Sequence, residues 1–401
     1  MAGCRPAGNG STVTFWALGA EGENIQGLIE AFEREHPGVK VNVQSIPWTA
    51  AHEKLLTAYA GNSLPDIFQL GNTWIPEFAL LHALEDLDGW IGRSQVVRAE
   101  NYFPGIWQTN IIDSVVYGIP WYVDTRLLFY RKDVFSEAGY DHPPRDWEEW
   151  YDLSKNIKRL PGGEQHYAIL LPTNEWTPFV ITGLQAGSTL LKDGNRYGDF
   201  SGPGFRSAFA FLMKFYREGL APSGVTQVSN VYQAIEERFV AMYITGPWNI
   251  AEFRRRLPPQ LQDRWMTAPL PGRTGAAPGV SLAGGSSLVV SRTSERKAEA
   301  WQLVEFLSRP AQQLEFSRVT GDLPAVRGAW NDTVFTNNIY VRAFYEQLEH
   351  VVPTPTIPEW EQIAMKIQQY AEEASIGRVS IDEALTALDR DVNTILEKRR
   401  W

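Results

Sequence analysis

No group of residues in this sequence has the types and spacing of a catalytic centre. The six histidines, His36, His52, His82, His142, His166 and His350, never pair at metal-ligand spacing. Cys4 is the only cysteine, so a zinc site is disfavoured and an internal disulfide is excluded. There is no Walker loop; Gly202-Pro203-Gly204 lacks a third glycine and a preceding strand, and Gly285-Ser286-Ser287-Leu288 lacks the closing glycine of a nucleophile elbow. Glu148 and Glu149 are neighbours on a helical pattern and diverge into solvent. What the sequence does offer is polar and flat side chains just past strand ends, where open α/β sheets bind ligands. Glu21 and Glu23 follow the first strand, Trp48 the second, and Asn72 and Trp74 the third. Carboxylates and amides supply hydrogen-bond acceptors, and indoles supply flat faces, so this set suits a binding surface rather than covalent chemistry. Glu21 and Glu23 have a second reading, as first-turn carboxylates favoured by a helix dipole.

The elements that would position these residues alternate. Residues 12–18 alternate with β-formers, 24–36 carry Ile25, Leu28, Ile29 and Phe32 at helical spacing before Pro37-Gly38, and 39–46 read as a second strand. A helix over 50–62 and a short apolar strand over 66–70 complete a β-α-β-α-β opening, which implies a parallel sheet with helices on both faces. Pro120 argues against a central sheet position at that residue and suits a crossover between domains. A strand over 127–131, helices over 133–139 and 146–159, and strands over 167–171 and 240–244 then build a second domain, with helices over 205–218 and 230–238. The Gly-, Pro- and Ala-rich stretch 270–285 is a second crossover, before a strand over 287–290 and a helix over 294–307. Three prolines make 352–358 extended, and helices over 363–376 and 381–398 close the chain.

Length and composition agree with this organisation. A chain of 401 residues with 44% apolar and 21% charged residues is an ordinary globular protein of two domains. No apolar run is long enough to span a bilayer. A net charge of −10 disfavours nucleic-acid binding. The 15 tryptophans, 15 tyrosines and 19 phenylalanines exceed what a core needs and suggest aromatic faces at a binding surface, although most of them should pack inside. Ala2-Gly3-Cys4 resembles the end of a bacterial lipoprotein signal, and residues 1–11 read as a flexible tether.

Several segments, in order, carry a family resemblance. Ile119-Pro120-Trp121-Tyr122-Val123-Asp124, then Leu127-Leu128-Phe129-Tyr130-Arg131-Lys132-Asp133-Val134, Gly139-Tyr140, Pro143-Pro144 and Trp147-Glu148-Glu149 are one set. Phe32-Glu33-Arg34-Glu35-His36-Pro37-Gly38-Val39, Leu64-Pro65-Asp66-Ile67-Phe68, Ala268-Pro269-Leu270-Pro271-Gly272, Leu282-Ala283-Gly284-Gly285 and Val351-Val352-Pro353-Thr354-Pro355 are others. Together they resemble the extracellular solute-binding proteins of carbohydrate ABC transporters, within them the maltose/trehalose-binding group, from about Val13 to the C-terminus.

The resemblance implies a two-lobed, type II periplasmic-binding-protein-like α/β fold. Each lobe would be a mainly parallel sheet flanked by helices, with residues 12–122 and 272–324 in one and 123–271 and 325–401 in the other. It implies capture of a neutral di- or oligosaccharide in the inter-lobe cleft and delivery to an ABC importer, outside the cytoplasm. No enzyme activity, cofactor, metal or nucleic acid is implied. The protein would be a monomer, meeting the membrane through its transporter and a lipid anchor at Cys4. Trp121, Tyr122 and Asp124 match the family's ligand-contacting segment, with Asp124 the leading hydroxyl acceptor; its structural alternative is an ion pair with Arg126 or Arg131. Gly246-Pro247-Trp248-Asn249 matches a stacking-tryptophan loop, where Trp248 is alternatively a core residue at a helix start. Gly284 and Gly285 match a loop where backbone nears the ligand, and Arg327 aligns with an arginine near it. Trp176 and Trp360 complete the candidate set. Gly71 and Ser286 depart from the group, which tends to carry an acid and a tryptophan at those places. Two rivals stay open: a carbohydrate-active enzyme, which needs paired carboxylates, and the same scaffold with a non-sugar ligand.

Overall fold

The structure is a computed structural model and describes residues 11–223, 228–275 and 278–399. It divides into two compact units. The first comprises the chain up to Val123 together with Gly284–Asp332, the second Asp124–Ala283 together with the chain from Thr333 onward. Ten strands form the two main sheets: β1 Ser11–Leu18, β2 Val39–Ile46, β3 Ile67–Gly71, β4 Ile119–Asp124, β5 Leu127–Arg131, β6 Tyr167–Leu170, β7 Val240–Thr245, β8 Trp265–Ala268, β9 Gly284–Val290 and β10 Leu323–Pro324.

The first unit's sheet runs β10-β4-β9-β3-β1-β2. Its early strands pair in parallel, β1 with β2 from Ser11↔Val39 to Leu18↔Ile46 and β1 with β3 at Phe15↔Ile67. The strands that return from the second unit run the other way, β9 against β3 and β10 against β4. The second unit's sheet runs β8-β5-β7-β6, with only β7 and β6 parallel. The sheets are therefore mixed rather than mainly parallel, because each crossover brings the chain back in the opposite sense. Pro120 does lie inside β4, which has neighbours on both sides. On its β10 side, pairing is confined to Tyr122 and Val123 and asks no hydrogen bond of the proline.

Two of the expected boundaries move. Ser281 and Leu282 pair in parallel with Val351 and Val352, so the stretch before Gly284 stays with the second unit. Residues 325–332 stay with the first: Gln313 Oε1 accepts from the Ala325 amide at 2.7 Å and Trp330 Nε1 donates to Pro324 O at 2.9 Å. At the amino end, Ser11 already pairs in β1. Cys4 and the rest of residues 1–10 lie outside the described residues. No helix among the described residues is long and apolar enough to cross a membrane.

Local signals account for the helix ends. The helix Trp147–Arg159 is capped by Asp146, whose side chain accepts from the Glu149 amide, and carries Lys158 and Arg159 in its last turn. The helix Ile381–Glu397 opens with a Ser380–Glu383 capping box. The first helix, α1 Gly19–Asn24, starts directly from β1, earlier than periodicity suggested. Gly19 makes that turn with φ of +51°, a conformation costly for residues with a side chain. The turn sets Glu21 one step beyond the sheet.

Candidate functional site

On the first unit, Trp48 opens the helix α2 Trp48–Ala60, immediately after β2 and Pro47. It is 36% exposed, and a Cβ on Gly19 would stand 2.5 Å from its Cδ1, so the indole is seated over a glycine. Trp48 Nε1 points to Glu21 Oε2 at 3.4 Å. Gln69 Nε2 approaches Glu21 Oε1 at the same distance, while Gln69 Oε1 accepts from the Leu18 amide at 2.7 Å. Glu21 is buried, makes no cap bond to α1, and has no ion-pair partner among the described residues. Its carboxylate is thus held by two long neutral hydrogen bonds, with lone pairs left to accept more. Glu21 also stands in the first turn of α1, as the helix-dipole reading expects, and its remaining lone pairs are able to accept from a ligand as well.

Trp74 completes this surface. Its ring centroid lies 5.6 Å from that of Trp48 and 5.0 Å from that of His52, one helical turn further along α2. His52 Nε2 is 2.6 Å from Glu77 Oε2. Gly71 lies between the indoles: a Cβ there would touch Trp74 at 3.7 Å and Trp48 at 3.8 Å. Asn72, half-buried, begins the turn that carries Trp74. Glu23 does not join the group; it is exposed on α1 and its carboxylate has no partner among the described residues. Ser286 is buried and donates to Leu70 O at 2.8 Å, so it forms no wall.

On the second unit the local route is the same. β7 ends at Thr245, Gly246 and Pro247 follow, and Trp248 opens the helix Trp248–Arg256. Trp248 is 46% exposed, and its ring occupies the place a side chain on Gly246 would take. Among the described tryptophans only Trp48 and Trp248 are exposed. Arg126 Cζ lies 4.6 Å from the Trp248 ring centroid, and Arg126 Nη1 donates to Asp124 Oδ1 at 3.0 Å. The ion-pair reading of Asp124 therefore holds for Arg126; Arg131 instead forks onto Asp133. Asn249 is buried, accepting from Tyr232 Oη at 2.9 Å and donating to Thr245 Oγ1 at 2.7 Å. The half-buried Tyr243 stands nearby. Burial first, and then the charge of Glu175, push its hydroxyl up to about 12, so it stays a neutral donor.

Other candidates from the sequence fall elsewhere. Trp121 is 1% exposed, stacked on Phe316 at 4.3 Å and against Phe15 at 5.8 Å; it is core, because it sits inside β4 with its ring turned into the unit. Tyr122, on the same strand, is also buried. Trp360 is buried at the start of the helix Trp360–Ser375, and Trp176 meets it edge-on at 5.3 Å while staying half-buried. At Gly285 the group that comes close is protein: with φ of +122°, any side chain would run into the backbone of Tyr122 and Val123. Gly284 precedes it at the half-buried start of β9. Arg327 lies over Phe103, with Cζ 5.5 Å from the ring centroid. Sequence reading reached Arg126 only as an ion-pair partner for Asp124 and missed Gln69, Tyr232 and Tyr243. Gln69 alone had a signal, as a polar residue amid Ile67-Phe68 and Leu70. No group of residues that could hold a metal ion occurs among the described residues.

Residues 16–314 match the bacterial extracellular solute-binding protein family. The structure is similar to that of the sugar-binding protein MalE from Xanthomonas citri, with a TM-score of 0.94, 47% identity and 98% of each chain covered. The galactooligosaccharide-binding protein of Bacillus subtilis (strain 168) is 28% identical over 397 residues, covering 95% of this chain and 88% of the relative. The diacetylchitobiose binding protein DasA of Streptomyces coelicolor is 26% identical over 367 residues, covering 88% and 82%.

Proposed function

The chain belongs to the bacterial extracellular solute-binding protein family, and from that premise we propose that it captures a neutral di- or oligosaccharide of the maltose or trehalose kind for an ABC importer. One observation carries the reading. Each unit seats an exposed tryptophan over a glycine and sets a carboxylate beside it: Trp48 with Glu21, and Trp248 with Asp124 through Arg126. An indole takes the C–H face of a sugar ring, and the carboxylate accepts its hydroxyl protons in short charge-assisted bonds. A neutral ligand follows from charge. Glu21 has no cation partner, and Arg126 is already paired, so a phosphate or uronate would meet net repulsion around Glu21. The sugar-binding relatives in the family support the same class.

The protein acts outside the cytoplasm, handing its ligand to the membrane subunits of the transporter as a monomer, with Cys4 as its anchor to the membrane. It binds without chemistry. The test is thermal unfolding against maltose, trehalose, sucrose and their isomers, with product analysis after incubation. A ligand at 100 times its dissociation constant adds about 2.7 kcal/mol of stability and raises the midpoint. A shift with one disaccharide and no product supports the reading. Product formation would make the protein an enzyme, and no shift with any sugar would move it to a non-sugar ligand.

A further inference from the structure

We propose that Arg126 is a positioning residue for ligand capture: one guanidinium holds the Asp124 carboxylate and braces the Trp248 indole, so both are set before a ligand arrives. The inference rests on the sugar-binding reading above. Three contacts define it: Nη1 to Asp124 Oδ1 at 3.0 Å, Cζ at 4.6 Å from the Trp248 ring centroid, and the indole folded over Gly246. The backbone beneath is tied down as well. Ser281 Oγ donates to Arg126 O at 2.7 Å and Thr125 Oγ1 donates to Leu282 O at 2.8 Å.

The energetics argue that this arginine is not there for stability. Its Nε is buried and has no hydrogen-bond partner among the described residues, an uncompensated desolvation cost. Arg131, a structural arginine of the same unit, gives the contrast. It forks onto Asp133 with Nε and Nη2 and donates from Nη1 to Ile235 O at 2.7 Å. Arg126 instead spends its contacts on an exposed indole and a carboxylate one-quarter exposed. Its side chain is one-fifth exposed, so the pair is partly shielded from solvent and the planar cation can lie over the ring. Such pre-organisation lowers the ordering cost of binding. It makes Asp124 and Trp248 act as a unit.

Calorimetric titration with maltose, on the parent, Arg126→Leu, Arg126→Lys, Asp124→Asn and the Arg126→Leu/Asp124→Asn double variant, tests this. Arg126→Leu should lose roughly 10-fold in affinity, and the double variant should lose less than the product of the two single losses, because the residues are coupled. Arg126→Lys, with charge but no planar fork, should fall between parent and Arg126→Leu. Acrylamide quenching without ligand, read as the difference between each protein and its Trp248→Phe counterpart, should show a more accessible Trp248 in Arg126→Leu. Parent affinity in Arg126→Leu, or multiplicative losses in the double variant, overturns the proposal. If the parent binds neither maltose nor any other sugar, the sugar reading falls. The quenching difference then still decides whether Arg126 braces Trp248, since unchanged accessibility overturns that part by itself.

Discussion

Trp48 and Trp248 reach the surface by one local route, a strand running into a proline and then the first residue of a helix, yet the two units hold them by opposite means. In the first unit the supports are neutral or aromatic: Trp74 beside the indole, His52 behind Trp74, and Glu21 held by Trp48 Nε1 and Gln69 Nε2 at 3.4 Å. In the second unit they are ionic: one guanidinium shared between Asp124 and the ring. An acceptor held by long neutral bonds keeps its full charge for a hydroxyl. An acceptor held by a cation is better ordered but partly neutralised. On the sugar binding proposed above, the first unit offers the stronger acceptor and the second the better-ordered face.

Variants can break this comparison, beginning with the largest effect. Trp121→Ala should cost about 3–5 kcal/mol of stability, as for any large core truncation, seen as a lowered midpoint in chemical denaturation. Trp48→Ala and Trp248→Ala should leave that midpoint within about 0.5 kcal/mol while weakening sugar binding by about 2–4 kcal/mol in titration calorimetry. If either destabilises like Trp121→Ala, it is packing and not a ligand face. Glu21→Gln should weaken binding by about 2 kcal/mol, the worth of a hydrogen bond to a charged group. Asp124→Ala should weaken binding by more than it lowers stability but by less than Glu21→Gln does, since its charge is already engaged; equal affinity in mutant and parent would remove Asp124 from the site. Gly246→Ala, which displaces the Trp248 ring, should cost about 1 kcal/mol of affinity with the fold intact. Tyr243→Phe is the mildest, about 0.5–1 kcal/mol. Because burial raises its hydroxyl, that contribution should persist in parent protein at pH 10, where an ordinary tyrosine is half ionised; its loss by then would place Tyr243 in open solvent.

The elements of the first unit were legible because periodicity is a local property. β2 falls on 39–46 as expected, and in the second unit β5 falls on 127–131 for the same reason. The sense of strand pairing was not, because β9 and β10 enter the first sheet only after the chain has built most of the second unit. At the candidate site, Glu21, Trp48, Asn72 and Trp74 stood out in the sequence by their place beyond strand ends. Gln69 was passed over, although a polar residue inside the apolar run Ile67-Phe68-Gln69-Leu70 is itself a signal. Arg126 was legible only as a possible partner of Asp124, and nothing local announced its contact with Trp248, which lies 122 positions along the chain.

The tripeptide Ile-Pro-Trp occurs as Ile46-Pro47-Trp48 and again as Ile119-Pro120-Trp121. The sequence determined that each proline restrains a strand and that an indole follows. Only the tertiary structure decided their fates. β2 ends at Ile46, so the next residues leave the sheet and Trp48 meets solvent over Gly19. β4 continues through Pro120 to Asp124, flanked by β9 and β10, so Trp121 turns inward onto Phe316, nearly two hundred residues away. Whether a strand stops or continues at a proline depends on neighbours that pair with it, and those neighbours arrive from distant parts of the chain.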